Sequence, residues 1–371
     1  MHFAMTGKKR LKEIIAEDIN KGEMRMRKIE KNYWMDGMMG LIVGDALGMP
    51  VQFYTRDEVK KNPIVGMRGY GTYNMPPGTW SDDSSMALAT LASIREKGGI
   101  DLTDIMERFV NWLVSGGYTP DGEPFDVGCT CHEAIMNYMR GAGVQDCGKR
   151  GEYANGNGAL MRIMPVCLYA YEKEKRGEIT EDEALTMVHE VSALTHNHLR
   201  SKMACGIYYF MVKAILEGKN ADDMEGSLVG TDLAPGCERT LCVCLQEGMD
   251  QATEYYHKDL SNYVEFAHYA RMTSLSDFAL LPEDEIKSSG YVVASLEAAV
   301  WSLITSDSLE EGLLKAVNLG EDTDTVGAIA GGLAGLYYGY ESIPCQWREA
   351  IVRREWIEKL ISDSVTKIEM R

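Results

Sequence analysis

From Trp34 onward, apolar residues recur at helical spacing in one segment after another. Met35, Met38, Met39, Ile42, Val43, Ala46 and Leu47 mark one face of a first helix. Gly37, Gly40, Gly44 and Gly48 interleave with them, which leaves room for a second backbone to approach closely. The same periodicity predicts helices over 82–97, 102–115, 129–140, 159–173, 181–195, 198–217, 238–250, 291–305, 309–317, 324–338 and 346–366. Period-two alternation is nearly absent. The expected fold is therefore all-α, a single compact multi-helix bundle. Residues 1–32 are dense in charge, with Leu11, Ile14, Ile15 and Ile19 at helical spacing. They predict a charged, helical N-terminal extension ahead of a main domain at 33–371.

Three stretches break the pattern. Residues 62–80, 116–128 and 141–158 are rich in glycine or proline, and ordered loops of this length in a helical bundle tend to carry function. A chain of 371 residues that is 45% hydrophobic buries a sizeable core without needing a disulfide or a metal to fold. Its formal charge of −18 repels nucleic-acid backbones and anionic lipid, so neither nucleic acid nor membrane is expected as a partner. The run from Val326 to Tyr340 is too short and too glycine-rich for a comfortable membrane span. The segment MHFAMTGKKRLKEII has no apolar signal core, and the nine cysteines form no CxxC pair. Reduced thiols in a cytoplasmic protein are the expected reading.

Five constellations carry possible chemistry. Ser81-Asp82-Asp83-Ser84 directly precedes a helical run, and so does Asp322-Thr323-Asp324-Thr325. Helix capping explains each taken singly. Taken together, two acidic helix starts of the same design also suit a hard-cation site, because magnesium wants oxygen ligands. The helix after Asp324 is built from small residues, so its acids can point inward, where paired carboxylates repel unless a cation or proton compensates. Gly156-Asn157-Gly158 is either ordinary turn chemistry or a cradle for a phosphate. Thr195-His196-Asn197-His198 suggests a ligand-facing His196 and a surface His198 rather than zinc, for want of a third ligand. Asp126, in a loop before a helix, is either solvated or a partner for a guanidinium.

In this order these segments resemble the ADP-ribosylglycohydrolase family, including the dinitrogenase reductase-activating glycohydrolases. The likeness rests on GLIVGDALGMPVQF (40–53), PGTWSDDSSMAL (77–88), FDVG (125–128), GNGALMRIMPV (156–166), LTHNH (194–198) and GEDTDTVGAIAGGLAGLYYG (320–339), and spans about residues 34–348. It implies an all-α hydrolase with two Mg2+ ions, or Mn2+, in a cleft. Ser81, Asp82, Asp83, Asp322, Asp324 and Thr325 would be their ligands. Gly156, Asn157, Gly158 and His196 would lie along the ADP-ribose, and Asp126 would face a modified arginine. Two positions depart from the family pattern: Gln52 stands where many relatives have glutamate, and Cys129 where a polar residue is expected.

The expected chemistry is cleavage of a glycosidic bond through an oxocarbenium-like transition state. Asp82, Asp83 and Asp324 are the catalytic candidates, with Asp82 or Asp83 as base toward the attacking water. The expected partner is an ADP-ribosylated protein or an ADP-ribose-containing small molecule. Arginine is the favoured linkage, and an O-linked substrate on serine or a small molecule is the runner-up. A non-catalytic ADP-ribose binder or structural relative is the alternative from another class, and Gln52 is the feature that sustains it.

Overall fold

The computed structural model describes residues 32–222 and 240–369. The helix expected over 1–32 lies outside the described residues, Asn32 apart, as does Cys237. The longer helices are α1 (Tyr33–Gly48), α2 (Asp82–Lys97), α3 (Leu102–Ser115), α4 (Cys129–Met139), α5 (Met164–Lys175), α6 (Glu181–Ala193) and α7 (Leu199–Asp222). They continue with α8 (Leu241–His257), α9 (Val292–Ile304), α10 (Leu309–Val317), α11 (Thr323–Tyr338) and α12 (Arg354–Glu369). Among the described residues there is no strand, only two isolated bridges, Lys149 with His196 and Gly156 with Tyr291. The fold is all-α, as the periodicity implies.

The glycines of α1 decide how the bundle is assembled. Gly40, Gly44 and Gly48 lie directly against Gly331, Gly327 and Thr323 of an antiparallel α11, backbone on backbone. A Cβ placed on Gly44 would sit 1.9 Å from the Gly327 carbonyl oxygen, and one on Gly40 would sit 2.1 Å from that of Gly331. Helix α11 is buried from Thr323 to Leu336, with α1, α7, α9 and α10 packed around it. An element walled in on every side has no polar face, which is why its small and apolar residues run without a break. The buried apolar side chains join into one cluster that runs from Trp34 to Ile361.

Three boundaries differ from the periodicity. The helix expected at 159–173 opens as a 3-10 turn, Leu160–Arg162, and becomes α-helical only from Met164, with Pro165 in its first turn. Proline has no amide proton to donate, so it suits the start of a helix and not its middle. The helix expected at 346–366 is two pieces, Cys345–Ala350 and α12, separated where Arg353 adopts φ +58°. The short helix Arg56–Lys61 carries a capping box between Thr55 and Glu58, a signal too brief to register as a period.

Candidate active site

Two helix starts and one helix interior converge. Ser81 caps α2: its Oγ accepts from the Asp83 amide at 3.4 Å and donates to Asp83 Oδ2 at 2.8 Å. Asp45, inside α1, is wholly buried. Its carboxylate accepts from the Ser81 amide at 3.0 Å, the Ser84 amide at 3.1 Å and the Ser84 hydroxyl at 2.5 Å. A buried carboxylate is thereby fastened across the amino-terminal end of α2, where free amides and the helix dipole favour negative charge. The close α1–α11 seam then brings Asp324 to the same point. Carboxylate oxygens of Asp45, Asp83 and Asp324 lie within 4.8 Å of one another, and so do those of Asp82, Asp83 and Asp126.

Asp322 precedes α11 but does not cap it. Its oxygens accept from Asn157 Nδ2 at 2.5 Å and from Gln52 Nε2 at 3.3 Å. Capping therefore accounts for Ser81 and not for Asp322. Asn157 Nδ2 also lies 2.8 Å from Ser295 Oγ, so that amide nitrogen serves the protein rather than a ligand. Thr325 is buried beside Asp324.

The carboxyls are held out of water. Burial, followed by the charges of Asp126 and Asp83, pushes Asp82 well above the usual carboxylate range. Burial and then Asp45 do the same to Asp83, and burial with Asp126 and Asp83 does so to Asp324. Burial raises Asp322 as well, against the hydrogen bonds from Asn157 and Gln52. Asp45 is pushed up to about 7 by burial, against the hydrogen bonds from Ser84 and Ser81. Like charges this close, without water, require compensation by a proton or a cation. The cluster is able to hold a metal ion.

The cluster borders a cavity of about 240 Å³ lined by Gln52, Phe53, Asp82, Asp126, Cys129, Gly156, Asn157, Gly158, His196, Asp322 and Thr325, among others. Loops 62–80 and 116–128 meet at its wall. There the Tyr73 hydroxyl donates to Asp126 Oδ1 at 2.6 Å, and the Tyr73 ring packs 5.1 Å from that of Phe125. Asp126 itself sits at φ +54°. Phe53, at φ +68°, is locked in place by reciprocal backbone bonds: its amide donates to Glu321, whose own amide donates to Tyr54. Cys129 is exposed, Cys131 is buried beneath it, and neither is paired in a disulfide. His196 is buried in the wall, whereas His198 is half-buried and accepts from the Arg200 amide.

Of the residues proposed as ligands or contacts, Asp82, Asp126, Gly156, Asn157, Gly158, His196, Asp322 and Thr325 line this cavity, Ser81 caps α2, and Asp83 and Asp324 join the carboxylate cluster beside it; the surface position expected for His198 is half-buried instead. Two residues were missed, Asp45 and Tyr73. Asp45 stands within the segment GLIVGDALG, and a lone carboxylate inside an otherwise apolar, glycine-laced helix was the available signal. Tyr73, which orients Asp126, had no comparable signal.

An all-helical scaffold with a buried carboxylate centre beneath a ligand-sized cavity defines a class of small-molecule-site protein suited to a hard cation. The chain belongs to the ADP-ribosylglycohydrolase family, whose model matches residues 30–371. It is 30% identical over 323 residues to the ADP-ribosylarginine hydrolase Tri1 of Serratia proteamaculans, covering 87% of this chain and 76% of that one. It is 30% identical over 315 residues to the ADP-ribosyl-[dinitrogen reductase] glycohydrolase of Rhodospirillum rubrum, covering 84% and 88%. A solved structure described as an ADP-ribosylglycohydrolase-related protein complex superposes with a TM-score of 0.69 at 28% identity, covering 91% of this chain and 98% of that one. The chain is accordingly an ADP-ribosyl glycohydrolase, a hydrolase of glycosidic bonds. Among the described residues, no helix is long and apolar enough to cross a membrane.

Proposed function

We propose that the protein removes ADP-ribose from arginine side chains of a modified protein, with two divalent cations, Mg2+ or Mn2+, held by Ser81, Asp82, Asp83, Asp322, Asp324 and Thr325. One observation carries the reading. Asp83 Oδ1, Asp324 Oδ2 and Gln52 Oε1 are buried oxygens with no hydrogen-bond partner. Each only accepts when the carboxyls are ionised, and carboxylate oxygens of Asp83, Asp324 and Asp45 lie within 4.8 Å of one another. A cation completes such a set where a donor is lacking.

Bound there, the cations would supply Lewis-acid chemistry that activates a water and binds ribose hydroxyls. The protein's own groups do the rest. Asp82, alone among the three catalytic candidates in lining the cavity, is assigned as the base that takes the water's proton. Asp83, Asp324 and Asp45 hold the centre in place from below. Tyr73 occupies Asp126 Oδ1 and leaves Oδ2 for the guanidinium of the leaving arginine, a pairing whose geometry favours arginine over lysine. The relatives named ADP-ribosylarginine hydrolase support that choice.

The direct test is release of free ADP-ribose from an arginine-ADP-ribosylated protein, with Mg2+ and then with chelator, against the double variant Asp82→Asn/Asp324→Asn. Release that requires both the metal and the aspartates is the expected result. Release from serine-linked substrate alone would move the linkage. Mg2+-dependent stabilisation without turnover on either substrate would make the protein a binder.

Gln52 cannot hold a proton, and its amide nitrogen already donates to Asp322. Replacing it with glutamate sets a charge against Asp322. Gln52→Glu is therefore expected to cost the metal-free protein about 1.5–3 kcal/mol, the value of a hydrogen bond to a charged group. Added Mg2+ should recover more stability in this variant than in wild type. Urea titrations with and without Mg2+ would read both effects.

A further inference from the structure

Arg162 is an unusual neighbour for an acidic site. Its guanidinium is fully buried and has no carboxylate within ion-pair distance among the described residues. It lies 5.1 Å from the centre of the Phe109 ring. Its donors go to the Gly158 carbonyl, to the Val191 carbonyl at 3.3 Å and to Thr195 Oγ1 at 2.9 Å. Thr195 Oγ1 in turn lies 2.8 Å from His196 Nδ1.

We propose that Arg162 and Thr195 fix the ring proton of His196 on Nε2, presenting an N–H donor to an acceptor oxygen of bound ADP-ribose. The ligand half of this proposal rests on the function proposed above; the proton's position does not.

A guanidinium has donors and no acceptor, so the Thr195 oxygen must accept from Arg162. That leaves the single Thr195 proton to place. The candidates are His196 Nδ1 and the Cys131 thiol, which also lies against Thr195. Burial pushes that thiol up, so it keeps its own hydrogen, and sulfur is a weak acceptor beside an imidazole nitrogen. Thr195 therefore donates to Nδ1, and the ring proton sits on Nε2. The opposite tautomer would leave the Thr195 hydrogen with sulfur alone. A doubly protonated ring does not compete, because burial and the Arg162 charge push His196 down to about 3.

The ring packs against the glycine backbone of this loop. A Cβ on Gly158 would come 2.9 Å from His196 Cε1, and one on Gly156 would come 3.3 Å from Nε2. Nε2 has no hydrogen-bond partner among the described residues, and His196 lines the cavity. Thr195 and Arg162 are positioning residues here. They act on the ligand only through His196.

The test is a long-range 1H–15N spectrum of 15N-histidine-labelled protein at neutral pH. The protein has seven histidines, and His196 is assigned by the signal that His196→Gln removes. The expected result is an Nε2–H pattern in wild type and in Thr195→Ser, and its loss in Thr195→Val. ADP-ribose should shift the His196 Nε2 signal in wild type. Its affinity should fall roughly tenfold in Thr195→Val, the value of one hydrogen bond, and stay within about twofold in Thr195→Ser. An Nδ1–H pattern in wild type, or an unchanged pattern in Thr195→Val, overturns the relay. An Nε2 signal unmoved by bound ADP-ribose overturns the donor role. Wild type that binds no ADP-ribose by calorimetry overturns the functional reading, while the ligand-free spectrum still decides the relay.

Discussion

Asp324→Asn is expected to lower kcat/KM for ADP-ribose release by at least about 10²-fold while making the metal-free protein more heat-resistant. The first effect follows from position. Loss of an outer-shell partner already costs 10–100-fold in metal affinity or activity, and loss of Asp324, proposed above as a direct ligand, should cost at least as much. The second follows from repulsion. Asp324 is buried, within 4.8 Å of Asp45 and Asp83, and has an unpaired oxygen. An asparagine amide removes one charge and offers donors to the carboxylates that remain. Each kcal/mol so relieved is worth on the order of 2–4 °C in Tm.

The pH dependence has a definite sign. A carboxyl whose folded pKa lies above its unfolded value contributes stability that is complete below the unfolded value, about 4. That stability is lost as pH rises through the folded pKa. Asp82, Asp83 and Asp324 are all shifted upward, and Asp45 reaches about 7. The difference in Tm between Asp324→Asn and wild type should therefore widen as pH rises above about 4 in chelator. Saturating Mg2+ should close or reverse it. Thermal scans of both proteins across that range, with and without Mg2+, would check it, and a gap that does not change with pH would refute the account.

Gly44→Ala is the second large effect. The added methyl would lie 1.9 Å from the Gly327 carbonyl oxygen and 3.1 Å from the Ala328 amide nitrogen. Both contacts are with backbone in the middle of a buried helix, so no side chain can swing aside. A loss of about 3 kcal/mol or more is expected, at the upper end of overpacking costs. The substitution also drives α1 from α11, and with it Asp45 from Asp324. A urea midpoint that falls at unchanged m-value, together with weaker Mg2+ stabilisation, is the expected pair of readings. Gly99→Ala is the control, since the nearest atom to its Cβ is the Tyr169 hydroxyl at 3.6 Å.

Periodicity alone was enough for the helices and for the all-α class, because a 3.6-residue apolar repeat is written locally. It stumbled where a local signal was outvoted. Pro165 delays the start of α5, and the positive φ of Arg353 divides the last helix, which apolar spacing alone does not report. Tyr263–Phe266, Ala267–Met272 and Leu275–Phe278 are turns too short to establish a period.

Much of the candidate site was legible for a particular reason. The acids at Asp82, Asp83, Asp322 and Asp324 stand at helix starts, and a helix start is a feature of sequence. Asp45 and Tyr73 were not legible in that way. One is an interior helix position, the other a loop residue, and neither sits at a punctuation mark in the chain.

What the sequence determined by itself was which segments are helical, that the glycines of α1 leave room for some second backbone, and that two acidic helix starts exist. Tertiary structure alone decided that these starts face one another. Asp45 and Asp83 are 38 residues apart and Asp45 and Asp324 are 279 apart in the chain, yet their oxygens lie within 4.8 Å. Neither separation is encoded in any local pattern. It arises because glycine against glycine lets two helix backbones touch, and because Asp45 satisfies the free amides of α2 only when α1 crosses its end.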